Sequence, residues 1–186
     1  MCIRDSSYVF AAIITLMTRL RGQIAWTVAM LVGYWAIMAL IPVPGFGRNV
    51  LTQQGNLEGY IDRLFLPGKF CCYVFGDNEG YLSTIPSIAT VMLGVLCTHM
   101  LQAKRSERFK VLALVGGGLA SLALGLAWGM VFPIITRLWT SSYTLYSNGW
   151  CMLPVSYTHL DVYKRQGVMS GRGRPAPLRS LLRCGS

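Results

Sequence analysis

The sequence predicts an all-α membrane fragment: a polytopic transmembrane helical bundle of about four to five spans, with one long, ordered extracytoplasmic loop. Composition is the first observation behind this. Hydrophobic residues make up 53% of the chain and charged residues 13%, with a mean hydropathy of +0.47, where soluble domains carry about 25% charged residues. The second is that uncharged stretches long enough to cross a bilayer alternate with short basic intervals. The third is where the charge lies. The net charge of +10 suggests nucleic acid at first sight, but residues 7–154 hold ten Lys/Arg and five Asp/Glu, so half of the excess lies in the two ends, outside the apolar body. The expected partner is therefore the lipid bilayer and not nucleic acid.

Taken in order, residues 8–18 (YVFAAIITLMT) are apolar but stop at Arg19, short of the roughly 20 residues that a bilayer core demands. Residues 24–41 run without a charge until Pro42-Val43-Pro44-Gly45 ends them. After a long polar loop, 42–82, Ser83 is placed as an N-cap and Pro86 falls in the first turn, where its missing N–H costs little. Residues 85–101 form the third span and 111–130 the fourth. A fifth, 138–153, opens on the hydroxyl-rich stretch Leu138 to Asn148, whose polar groups must meet protein, water or substrate in hydrocarbon. Interhelical hydrogen bonding and a site-lining role are both open for them. In the fourth span Gly117, Ser121, Gly125 and Gly129 recur every four residues, a comb that lets a neighbouring helix approach closely.

Loops 19–23 and 104–110 hold six Lys/Arg, against four in the much longer 42–82 and 131–137. The positive-inside rule makes the short loops cytoplasmic and puts 42–82 on the periplasmic side. That loop holds two acidic groups, Glu58 with Asp62-Arg63 and Asp77 with Glu79. Such carboxylates can bind a cation or an ammonium group, or act as acid or base if one pKa is raised. Equally, Asp62 can pair with Arg63 or Lys69, and Asp77 and Glu79 can favour the N-terminus of the following helix. Cys71 and Cys72 have no C-x-x-C spacing and no nearby His, which argues against zinc; disulfide formation and simple burial both remain for them. His99 sits beside the basic 104–110 loop as an interfacial residue.

The two ends look foreign to the rest. MCIRDS at 1–6 and VSYTHLDVYKRQ at 155–166 resemble translated sequencing adapter found at the edges of unrelated metagenomic open reading frames. The expectation is a native segment at 7–154, an internal fragment of a longer protein whose remaining helices are its partners, and a disordered chimeric tail over 155–186.

The ordered words IPVPGFGRNV, GNLEGYIDRLFLPG, GDNEGYLSTIPSIATVMLGVL and FPIITRLWTSSYTLYSNGW resemble the transmembrane acyltransferase family of heparan-α-glucosaminide N-acetyltransferase, including its bacterial DUF5009-type members. The resemblance implies transfer of acetyl from cytosolic acetyl-CoA to the amine of a glucosamine-type sugar across the inner membrane. It implies no catalytic residue here, since the family's histidine lies upstream of this segment. The positions it carries over as substrate-binding are Asp62, Arg63, Asp77, Glu79, Gly80, Ser83, Thr84, Trp139 and Ser141. The alternatives are an amino-sugar permease, against which the uncharged spans without interior Pro count, and a non-enzymatic membrane subunit.

Overall fold

The architecture follows from the alternation of long apolar runs with short polar breaks. A computed structural model describes residues 3–45, 47, 50–52, 55–65 and 80–172, and all regular structure among them is helical apart from one isolated bridge. The helices are α1 (Ile3–Met17), α2 (Leu20–Leu40), α3 (Leu57–Phe65), α4 (Thr84–Gln102), α5 (Glu107–Gly129) and α6 (Ser141–Arg172). Three stretches are long and apolar enough to cross a membrane: Leu20–Leu40, Thr84–Gln102 and Arg108–Gly129. At 1.5 Å per residue the 21 residues of α2 reach about 32 Å, enough for a hydrocarbon core of about 30 Å. The protein is an integral membrane protein.

Helix α4 is the centre of the bundle. Both α1 and α2 pack against it, and so do α5 and α6. Along their lengths α1 and α2 pack on α4 rather than on each other, although Gln23 ties the turn between them by donating from Nε2 to the carbonyls of Thr15 and Thr18, both at 3.2 Å. The α5/α6 pair is the most intimate in the protein, and small residues explain why. A Cβ built on Gly125 would lie 2.7 Å from the Tyr146 amide nitrogen, and one on Gly149 would lie 2.8 Å from the Gly118 carbonyl oxygen. The comb on α5 is thus the packing device that its spacing suggests, with Gly149 as the matching gap on α6. Ser121 completes it by donating to the Leu145 carbonyl at 2.7 Å.

At one end of the bundle the described parts of the loop between α2 and α4 form a layer against it. Val43 and Gly47 exchange backbone hydrogen bonds of 2.8 and 3.0 Å, a reversal that Gly45 and Gly47 permit through positive φ values of 85° and 91°. Val43 and Leu57 then join Tyr34, Met38, Phe132 and Leu138 in one buried cluster. This cluster fastens the loop layer to α2 and to the 131–140 connection. The calls for a site at Asp77 and Glu79, and for Cys71 and Cys72, fall outside the described residues.

One local expectation is revised. Ser83 does occupy the N-cap position of α4, but with helical φ and ψ and no capping hydrogen bond; its hydroxyl turns back to the Gly80 carbonyl at 2.8 Å. With helical rather than extended backbone angles, Ser83 does not present its oxygen to the first amides of α4 as a capping acceptor. Pro86 is buried in the first turn of α4, where the sequence places it.

Candidate functional site

The site is built where α3 meets the segment leading into α4. Asn56 starts α3: its carbonyl accepts from Tyr60 and its side-chain Oδ1 accepts from the Gly59 amide at 2.6 Å, which satisfies a donor at the helix N-terminus. Four residues separate Glu58 from Asp62, so both carboxylates stand on the same face of α3. That face is turned inward. Glu58 is 3% exposed and Asp62 0%. Gly80 lies directly against them: a Cβ there would fall 2.5 Å from Asp62 Oδ2 and 2.8 Å from Glu58 Oε1. Only a residue without a side chain fits. Asp62 Oδ1 accepts from the Tyr81 amide at 3.1 Å, and Thr84 Oγ1 donates to the Gly80 carbonyl at 3.5 Å.

Glu58 has the unusual electrostatics. Burial pushes its carboxyl up to about 8, and the neighbouring Asp62 charge adds to the rise. The Ser83 hydroxyl and amide oppose it from close by, short of hydrogen-bond geometry, since the hydroxyl is committed to Gly80 and neither Glu58 oxygen has a hydrogen-bond partner. Tyr34 of α2 closes the pocket from the bundle side. Its ring is fully buried edge-on to Phe132, with centroids 6.3 Å apart, and its hydroxyl donates to the Leu138 carbonyl.

The structure therefore brings together Glu58, Asp62, Gly80, Ser83 and Thr84 of the residues singled out from sequence, and adds Asn56 and Tyr34. Arg63, next along α3, is exposed. Trp139 and Ser141 lie at the start of α6 in a separate hydrogen-bonded knot. Trp139 has a φ of 47°, a left-handed conformation that costs a residue with a Cβ roughly 1–2 kcal/mol, and its indole Nε1 donates to Thr90 Oγ1 of α4 at 3.2 Å. Thr140 Oγ1 accepts from the amides of Ile135 and Tyr143, at 3.1 and 3.4 Å. Ser141 donates to the Leu31 carbonyl of α2 and Ser142 to the Phe132 carbonyl, each at 2.7 Å. Ser141 thus ties α6 to α2, while Thr140 and Ser142 hold the 131–140 connection to the start of α6. The sequence did carry signals for the missed residues: Asn56 precedes an apolar-periodic stretch as an N-cap does, and Tyr34 puts a lone phenol in an uncharged span. No group of three or more His, Cys, Asp or Glu able to hold a metal occurs among the described residues.

No protein-family model matches the chain. A relative is the Sec-independent protein translocase protein TatCd of Bacillus subtilis (strain 168), 30% identical over 123 residues, which are 63% of this chain and 48% of the relative. The chain spans about half the length of that relative. The match overturns the resemblance to the acyltransferases of the heparan-α-glucosaminide N-acetyltransferase family, because the translocase protein belongs to a different membrane protein family. The acetyl-transfer function and the acyltransferase, acetyl-CoA and glucosamine terms that rested on it are withdrawn with it. Helices suited to membrane spanning, together with this relative, make the chain an integral protein of the bacterial inner membrane.

Proposed function

We propose that the chain forms part of a non-enzymatic membrane subunit of the protein-translocase kind, in which the bundle is a scaffold and the loop layer is a platform on its outer end. The observation that carries this reading is the 30% identity to a translocase protein. The structure is compatible with it in a specific way: Ser83, Ser141 and Ser142 donate their hydroxyl protons to backbone carbonyls, so these groups fasten elements together. In this reading Asp62, Gly80, Ser83 and Thr84 hold the platform, Trp139 and Ser141 hold the start of α6, and further subunits are the partners. The test is to express the gene that encodes the chain in a bacterium lacking its own Sec-independent translocase protein and to follow export of a substrate of that machinery. Restored export supports the proposal. Stable production without export, or turnover of a small-molecule substrate by the purified protein, overturns it.

The same reading places the basic loops 19–23 and 104–110 in the cytoplasm. Alkaline phosphatase fused after Gly55 is then expected to be active and the same enzyme fused after Ser106 inactive. The opposite pattern inverts the sidedness.

A further inference from the structure

Glu58 is a buried acid that no hydrogen bond holds. Both of its oxygens are inaccessible and unpartnered. Of the nearby donors, the Ser83 hydroxyl is committed to the Gly80 carbonyl, the Tyr34 hydroxyl to the Leu138 carbonyl and the Gly59 amide to Asn56 Oδ1, which leaves the Ser83 amide close to Glu58 but short of a hydrogen bond. Among the described residues, the titratable groups that face it are Asp62, one turn along α3, and Tyr34 from α2. Among the described residues no cation contributes to its surroundings; the segment against it, 80–84, carries its one titratable side chain, Tyr81, on the exposed side, and so does the 131–140 connection, packed on the neighbouring Leu57, with Arg137. An ionised carboxylate in that position would be desolvated, offset only in part by the Ser83 hydroxyl and amide, and would repel Asp62. A protonated one brings its own donor, with Asp62 and Ser83 Oγ as acceptors within reach.

We propose that Glu58 is a proton-binding site that latches α3 onto the segment 80–84 leading into α4: α3 is seated while Glu58 carries a proton, and it lifts when that proton leaves to bulk water. No covalent bond other than the O–H is made or broken, and the contact with Gly80 and the hydrogen bond from the Tyr81 amide to Asp62 part when α3 lifts. The direction of the pH dependence follows from the seated form holding the proton more tightly than the lifted form. A raised carboxyl value makes the seated form fully favoured below the ordinary value of 4.5, and that advantage is lost as pH rises toward about 8. Over that window the seating equilibrium falls by up to about tenfold per pH unit.

The test is amide hydrogen exchange of residues 57–65 and 80–84 in the lipid-nanodisc-embedded protein from pH 5 to 9, corrected for the intrinsic pH dependence of exchange and compared with Glu58→Gln at each pH. The expected result is protection in the wild-type protein that falls by at least tenfold between pH 5.5 and 8.5, and a Glu58→Gln protein that stays protected throughout. Equal pH dependence in the two proteins overturns the proposal. The infrared spectrum of the wild-type protein gives a reading that does not depend on the variant folding. A protonated-carboxyl C=O stretch present at pH 6 and gone by pH 9.5 supports the latch, and its absence at pH 6 sinks it.

Discussion

Gly149→Ala is expected to lower the stability of the bundle by about 1–3 kcal/mol, the usual cost of forcing a methyl group into a packed contact. The new Cβ would stand 2.6 Å from Leu122 Cγ, 2.8 Å from the Gly118 carbonyl oxygen and 2.9 Å from the Leu122 amide nitrogen. Two of those three atoms are backbone, so no rotamer change relieves the clash and α5 must move away from α6. The matched control is Gly116→Ala, also on α5, where a Cβ would meet nothing within 4 Å. There the better helix propensity of alanine, roughly 1 kcal/mol, leaves stability unchanged or slightly higher. Unfolding of both variants in the same detergent decides the matter. Equal midpoints for the two would mean that the small-residue seam is not what holds these helices together.

The second large effect is expected at Gly80→Ala, again about 1–3 kcal/mol, but confined to the loop layer. The methyl group would fall on Asp62 Oδ2 at 2.5 Å, Glu58 Oε1 at 2.8 Å and Glu58 Cγ at 2.9 Å. Carboxylate ends are usually able to swing aside. Here both are buried, so moving them means lifting 80–84 off α3 and breaking the 3.1 Å bond from the Tyr81 amide to Asp62. Exchange of the Tyr81 amide should therefore speed up while protection across α5 and α6 stays at the wild-type level. Combining the variant with Asp62→Ala should cost less than the sum of the two single changes, because each removes the same contact. Full additivity would show that Gly80 and Asp62 do not act on each other.

The spans were legible because lipid imposes a length and a polarity that a single sequence displays openly: α2, α4 and α5 fall on the uncharged runs with ends shifted by a few residues. The comb on α5 was legible for the same reason, since four-residue spacing has one geometric meaning on a helix. The carboxylate pocket was only half visible. Spacing puts Glu58 and Asp62 on one face of a helix, but nothing local says that the face is turned inward, and acidic residues in a polar interval are ordinarily solvated. Burial here depends on Tyr34, 24 positions before Glu58, and on Gly80, 22 positions after it. No periodicity links those positions; only the tertiary fold does. The role of Trp139 and Ser141 was hidden similarly, because their partners Thr90 and Leu31 are on distant helices. The functional assignment went astray at the level of resemblance, where a series of short words was taken for a family and the translocase relative pointed elsewhere.

The way the helices share α4 bears on how the protein is made. Since α1 and α2 rest on α4 instead of on one another, they have little to hold each other by until α4 follows them out of the ribosome. They must wait in the lipid, or beside the insertion machinery, until the chain has been extended past residue 102. By contrast α5 and α6, neighbours in the chain and packed on each other, can zip together as soon as both are made. A stalled nascent chain ending before α4 should therefore be handed to quality-control proteases, and one ending just after it should survive.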